Sequence, residues 1–479
     1  MSGSAGYGKM HTAISAINAG LAVVAPLGMF VYFSRHLPPT VMGVMAFCLA
    51  WIEVLKALCP NGLYEALLVD READSARDAA AGGLLLACGL GASAIYVAIV
   101  LVALPRIGGG GLGLEQAAIC VGAKLTFDTL AQHPTALLAR RQAYGAMASR
   151  GLMSNVGGIL FGLALSVRLG PVWGMVGYYL GQSVLNWLAV IIAVRGAAVS
   201  LRWRKAAPLM PVAWMSSQVR AIGTLNNFFD QVMIGAFLTP ATLAMYNLGK
   251  RVDMAQIAAS QAFVSTLYQP RFAAHQGDGL GRDFRKAMIM MTFLFGVPGA
   301  VLVVHADTVV SLIFGAQWMM AVPVVQAMAI GGYSRVIANV QGAYFSTHGQ
   351  NRLLRNRTLI STAMTIGLVA LARWIGMAEV AWAITLKNVA VCLWSARMTR
   401  HLLSLRDFCL IVIGLPLVGV VGAVMVVMLA RAQVSGYGWM GTVVLWVMSG
   451  GAALMVAGLV HQIGAGGDWR RILRPVARA

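Results

Sequence analysis

Negative charge is scarce in this sequence: 16 Asp+Glu stand among 479 residues, against 36 Lys+Arg, for a formal net charge of +20. Charged residues of both signs make up only 11% and hydrophobic residues 59%, whereas a soluble domain carries about 25% charge. That balance excludes an ordinary water-soluble globule. Cysteine is scarce too. Cys48, Cys59, Cys88, Cys120, Cys392 and Cys409 lie in or beside apolar stretches with no C-x-x-C pair, which excludes a zinc ribbon and leaves small core residues. The histidines are scattered, without H-E-x-x-H or a His/Cys/Asp cluster of metal spacing, so no metal site is predicted. Gly108 to Gly111 is a run of glycine that no Lys-Ser/Thr follows, and Gly249-Lys250-Arg251 lacks the spacing of a phosphate loop. Neither makes the chain its own ATPase, and no cofactor or catalytic residue is predicted.

Long apolar runs fill the space that charge leaves. A membrane helix needs about 20 mainly apolar residues, and such segments centre near Ala25, Leu49, Leu90, Val121, Leu160, Gly181, Phe228, Ala255, Phe295, Ala329, Met364, Val389, Val418 and Val447. The chain therefore reads as an all-α polytopic membrane protein of about fourteen transmembrane helices. The second, fourth, seventh, eighth and tenth segments are the weakest, because each carries ionisable residues. The first run follows Lys9 and His11 and closes on no small-residue cleavage site, so it is read as a span rather than a signal peptide.

With the N-terminus inside, one side of the membrane collects Arg140, Arg141, Arg150, Arg202, Arg204, Lys205, Arg282, Arg285, Lys286 and the arginines of the tail. The other side holds Arg35, Arg106, Arg168, Arg373 and Arg431. Cytoplasmic loops gather Lys and Arg, so both termini are expected in the cytoplasm. The basic balance then needs no nucleic-acid partner.

An internal repeat organises the spans. Leu37-Pro-Pro-Thr-Val-Met-Gly-Val-Met45 matches Leu238-Thr-Pro-Ala-Thr-Leu-Ala-Met-Tyr246 at one fixed offset, and Leu169-Gly-Pro171 is echoed by Ile375-Gly-Met377. Transporters are often built from such duplicated bundles. The expected organisation is a six-helix lobe over 1–195, a basic cytoplasmic linker over 196–213, a second six-helix lobe over 214–400 related to the first by pseudo-two-fold symmetry, and two additional helices with a basic tail over 401–479.

An ionisable residue at a helix centre costs about 2.5–3.5 kcal/mol on insertion scales, so such residues pair with one another or face a wet pathway. Glu53 and Lys56 stand three apart, Lys124 and Asp128 four apart, and Lys250, Arg251 and Asp253 are neighbours. Pairs at these spacings share a helix face and could simply tie helices together, and long basic side chains can snorkel to an interface. The pathway reading is preferred for the group, because several charged helices must share one wet surface. Its balance is cationic, which suits an anionic headgroup such as a diphosphate. Arg220, Lys250, Arg251 and Arg335 are the leading substrate contacts, with Lys56 and Lys124 beside them. Asp230, Asp253, Glu53 and Asp128 are candidates for proton or sodium coupling.

These residues resemble a known family, the polysaccharide repeat-unit flippases of the MOP (multidrug/oligosaccharidyl-lipid/polysaccharide) exporter superfamily. Arg35-His-Leu-Pro-Pro-Thr-Val-Met-Gly43 followed by Asn61-Gly-Leu-Tyr-Glu-Ala-Leu-Leu68 looks like the family's opening pattern. Leu137-Leu-Ala-Arg-Arg141 with Arg150 resembles its basic loop, and Asn226, Asp230, Gly235 and Tyr246 resemble the stretch that opens its second lobe. The chain departs from the usual pattern at Asp70, where a neutral polar residue is common, and at Ala244, where glycine is usual. The resemblance implies a substrate of undecaprenyl-diphosphate-linked oligosaccharide, alternating access of two lobes in a bacterial inner membrane, and hand-over to a polysaccharide polymerase and export machinery. It does not imply an enzyme.

Two other functions compete. A drug exporter of the same superfamily fits a cationic cavity poorly, because a cationic drug wants carboxylates and aromatics. A membrane-embedded glycosyl- or acyltransferase would need catalytic acids or a histidine in an outer loop, where only His305-Ala-Asp307 offers a pair.

Overall fold

The computed structural model describes residues 20–21, 24–70, 74–105, 112–275 and 278–422, with isolated positions at 424, 449–451, 455 and 458. Lys9, Arg106, the Gly108 to Gly111 run, and most of the segment centred on Val447 with the tail beyond it lie outside the described residues. Within them every regular element is a helix. In chain order α1 covers 24–36, followed by α2 Pro39–Leu58, α3 Leu63–Val69, α4 Ser75–Ala103, α5 Leu112–Val121, α6 Ala123–Leu130, α7 Gln132–Arg140, α8 Tyr144–Leu169, α9 Pro171–Val194 and α10 Met210–Phe237. Then come α11 Pro240–Phe263, α12 Gln269–Ala274, α13 Asp278–Met291, α14 Val297–Val304, α15 Ala306–Ile313, α16 Val322–Thr347, α17 Asn351–Ala370, α18 Ala372–Ile375, α19 Met377–Met398 and α20 Leu405–Cys409. π-helical stretches at Val264–Tyr268, Thr292–Gly296 and Leu410–Gly414 join α11 to α12, join α13 to α14, and follow α20.

Among the described residues, eight helical runs are long and apolar enough to cross a membrane, among them Pro39–Leu58, Ser75–Ala103, Pro171–Val194 and Gly279–Val304. The chain is thus a multi-pass membrane protein of the expected all-α class. Of the segments read as weakest, the second and the tenth are among these eight, as Pro39–Leu58 and Ala316–Thr347, and the other segments that fall outside them do so for physical reasons. The stretch near Val121 is three short helices, α5 to α7, broken at Gly122 and Ala131. α10, α11 and α17 are long but polar, carrying Arg220 and Asp230, Lys250 to Asp253, and Arg352 to Arg357. Length and apolarity therefore do not by themselves yield the count of about fourteen, since a helix facing a polar interior need not be apolar all round.

The chain divides into two compact units, Met1–Ala244 and Met245–Ala479. In the first, α10 packs along α2 and α3, and α8 and α9 form an antiparallel hairpin. Small residues line that hairpin: a Cβ on Gly162 would lie 2.8 Å from Tyr178, and one on Gly174 2.5 Å from Ser166. Such close backbone approach is how helices associate where no hydrophobic force drives them together. The turn at Gly170 has φ 97° and ψ 164°, a region open essentially to glycine. Gly376, its partner in the weaker sequence echo, has φ 91° and ψ 168°. The stronger repeat has matching local structure as well, because Pro39 and Pro240 each open a helix, where a missing N–H costs nothing. Its two copies also touch: a Cβ on Gly43 would lie 1.7 Å from the Pro240 carbonyl oxygen.

In the second unit α16 packs against α19, α14 and α17. An aromatic cluster of Tyr268, Phe272, Phe284, Tyr344, Phe345 and Phe408 fills its core. The division of the sequence at 196–213 remains a proposal from the repeat.

Candidate functional site

In the first unit the charges of two helices meet beside a hydroxyl of a third. Lys124 on α6 donates to Asp128 Oδ2 at 2.6 Å and to Ser183 Oγ on α9 at 3.1 Å. Lys56 on α2 lies 2.7 Å from Glu53 and donates to the same Asp128 oxygen at 3.3 Å. The pairs expected from spacing are present, and Asp128 joins them into one quartet. Two lysines against two carboxylates make it formally neutral. Each member removes the cost of burying the others, so the quartet ties α2, α6 and α9 together. Asn61 closes the end of α2 by donating to the Lys56 carbonyl at 2.6 Å.

Beside the quartet a cavity of about 350 Å³ opens between Tyr64, Asp128, Gln132, Thr135, Arg150, Asn186 and Arg220. Two helices deliver its cations. Arg220 on α10 is exposed and donates through Nε to Glu65 Oε1 on α3 at 2.9 Å, with its guanidinium 5.8 Å from the Tyr64 ring centre. Glu65 thus stands on a short helix of its own rather than in the second span, and it balances Arg220. Arg150 on α8 is half-buried and donates through Nη1 to the Thr135 hydroxyl at 2.8 Å. Its Nε, like Gln132 Oε1, has no hydrogen-bond partner among the described residues. A guanidinium held by a neutral hydroxyl keeps its charge for a ligand, and its planar fork suits a phosphate oxygen pair.

Reading the sequence assigned Arg150 to a cytoplasmic loop because basic residues gather there. The structure places Arg150 in the second turn of α8, and packing brings it beside Gln132 of α7 and Asn186 of α9.

The remaining candidates fall in or beside the second unit. Asp253 on α11 is buried and accepts from Arg335 Nη1 on α16 at 2.6 Å, so its ion pair crosses between helices. Arg251 Nε donates to Asn247 Oδ1 at 3.2 Å, while Lys250 is buried. Lys387 on α19 donates to Ser361 Oγ at 3.0 Å and Thr365 Oγ1 at 2.8 Å on α17. Asp230, on α10 of the first unit, is buried and accepts from the Gln231 backbone N–H at 2.9 Å. An apolar cavity of about 320 Å³ is lined by Gly296, Tyr333, Leu393, Val412, Pro416 and neighbours.

A family described as polysaccharide biosynthesis protein matches residues 33–323, more than half of the chain. The chain belongs to that family. The chain is 27% identical over 133 residues to the teichuronic acid biosynthesis protein TuaB of Bacillus subtilis (strain 168), a match that covers 27% of this chain and 28% of that relative's length. Its fold is similar to that of the lipid II flippase MurJ in an inward closed conformation, with a TM-score of 0.69 at 12% identity over 95% of this chain and 99% of the other. An inward-facing multidrug resistance MATE family transporter of the MOP superfamily matches with a TM-score of 0.54 at 15% identity, over 81% of this chain and 94% of the other. The chain therefore shares its fold with these two proteins.

Proposed function

We propose that this protein is a flippase that carries an undecaprenyl-diphosphate-linked oligosaccharide from the cytoplasmic to the periplasmic face of a bacterial inner membrane, by alternating access. The observation that carries the reading is Arg150, a half-buried cation held by a hydroxyl beside Gln132, Asn186 and Arg220 in a polar cavity within a membrane-spanning unit. A diphosphate brings negative charge that Arg150 answers directly, and Arg220 can leave Glu65 to join it. The amides around them accept and donate to sugar hydroxyls. The apolar cavity lined by Tyr333 and Pro416 offers a dry wall for a polyprenyl chain. Membership of a polysaccharide biosynthesis family supports the substrate class, and likeness to a lipid II flippase supports the mode of transport.

In this reading the protein acts as a transporter and not as an enzyme. Lys250, Arg251 and Arg335 contribute to the headgroup path, and Lys56 and Lys124 hold it open through the quartet. Asp253, Asp230, Glu53 and Asp128 are the carboxylates through which protons or sodium ions would drive the cycle. A polymerase with its export machinery takes the product on the far side, and both termini face the cytoplasm.

The test is deletion of the gene, followed by measurement of undecaprenyl-linked oligosaccharide on each face of the membrane and of exported polysaccharide. Complete repeat units trapped on the cytoplasmic face with lost export are expected. Truncated units would point to a transferase, and an unchanged profile with new drug sensitivity to a small-molecule exporter. Complementation with Arg220→Ala, Lys250→Ala, Arg251→Ala and Arg335→Ala then tests the site, and normal export from all four would remove those residues from it.

A further inference from the structure

We propose that a second cavity, of about 510 Å³ between α11, α16 and α17 of the second unit, is a saccharide subsite that takes a sugar ring bearing a carboxylate. The inference rests on the flippase reading and deepens it by naming a class of sugar. Gln261, Ser265, Gln269, Asn339, Ser346 and Arg357 supply the polar lining, and no Asp or Glu shares it. Gln261, in the last turn of α11, and Ser265, just beyond its end, are exposed on a long helix of a membrane protein. An amide facing lipid tails would forfeit its hydrogen bonds, so this face is wet. Amides and hydroxyls each donate and accept, as the hydroxyls of a sugar do. Asn339 Nδ2 is oriented by donation to Ser260 Oγ at 3.0 Å. The π-helical stretch Val264–Tyr268 runs along the same wall, and such bulges recur at functional sites.

Arg357 decides the class. It is half-buried, and its Nη1 is fixed by donation to the Ala338 carbonyl at 3.2 Å and to Ser395 Oγ at 3.4 Å. A Cβ on Gly342 would lie 3.3 Å from Nη2, so glycine there keeps the cavity wall clear for the guanidinium. A single planar guanidinium among neutral amides balances one carboxylate in a bidentate pair. A diphosphate would bring more charge than this wall answers. The shared chemistry is an anionic pair of oxygens, and the probes below separate its two sources.

The experiment uses the full chain in lipid nanodiscs and measures equilibrium binding of three probes: undecaprenyl diphosphate alone, the same lipid with a neutral disaccharide, and the same lipid with a hexuronate-containing disaccharide. The unchanged protein is expected to bind the hexuronate lipid about tenfold more tightly than its neutral twin, a difference of about 1.4 kcal/mol. Arg357→Gln should erase that preference and leave undecaprenyl diphosphate unaffected. Gly342→Ala, which presses on the guanidinium without removing it, should reduce the preference in a protein of normal thermal stability. Equal affinity of the unchanged protein for the two disaccharide lipids would overturn the subsite while leaving the flippase reading intact. Equal weakening of all three probes by Arg357→Gln would also overturn it, by making Arg357 a diphosphate contact. Binding of none of the three would remove the flippase reading and the subsite together.

Discussion

The hydroxyl of Tyr333 on α16 donates to the carbonyl of Val412 at 2.9 Å. The same oxygen lies 2.9 Å from Thr292 Oγ1, so one buried phenol joins the π-helical stretches Thr292–Gly296 and Leu410–Gly414. Each of those stretches departs from the regular helical ladder, and Tyr333 supplies bonds that hold them together. Tyr333→Phe keeps the ring and removes both bonds. The expected loss is about 1–3 kcal/mol, read as a lower midpoint of thermal unfolding in detergent. An unchanged midpoint would mean that the π stretches hold each other without the phenol.

Asp128 is the shared acceptor of Lys56 and Lys124. Asp128→Asn leaves a surplus buried cation, and breaking a buried pair in this way costs about 3–5 kcal/mol. Removing Lys124 together with Asp128, as Lys124→Met with Asp128→Leu, leaves the Lys56 and Glu53 pair intact and should recover most of that stability. Folded yield and unfolding midpoint of the single and double variants decide it, and a double variant no better than the single would argue against a structural tie.

How much of this was legible in the sequence depends on distance along the chain. Helical spacing gave Glu53 with Lys56 and Lys124 with Asp128, because residues three or four apart share a face whatever surrounds them. The Asp253 to Arg335 pair spans 82 positions and the Arg220 to Glu65 pair 155, and only packing brings such partners together. The membrane class was legible from apolarity alone. The polar helices α10, α11 and α17 were legible as well, at the segments centred near Phe228, Ala255 and Met364, although their ionisable residues lower their apolarity. Arg150 was legible as a base beside the loop that follows α7, but not as a neighbour of Gln132 and Asn186, which only packing brings to it.

Arg150 carries the substrate argument and can be tested apart from the fold. Arg150→Ala removes one charge-assisted bond to a hydroxyl, so stability should fall by no more than about 3 kcal/mol. Export should fall at least about tenfold, and Arg150→Lys should restore part of it, because an ammonium keeps the charge and loses the fork. Full export from Arg150→Ala would transfer the headgroup contact to another cation.

Gly43→Ala should be among the most damaging single changes. Its new methyl would meet the Pro240 carbonyl, a backbone atom that no rotamer change can move aside, and overpacking of this kind costs about 3 kcal/mol or more. Loss of folded protein from membranes expressing Gly43→Ala, against normal yield for a change at Gly91, where a Cβ meets nothing within 4 Å, would check it.

The π-helical stretch Val264–Tyr268 can be regarded as a residue added to a helix without lengthening any loop. Each residue turns a helix by about 100°, so the extra one sets the heading of everything from Gln269 onward relative to α11. Deleting one residue there would leave composition and hydropathy almost untouched and yet swing Gln269 and Arg271 to a different face. Insertions and deletions in this part of the chain are therefore governed by angle, and a comparison that tolerates a one-residue gap here would align side chains that point in different directions.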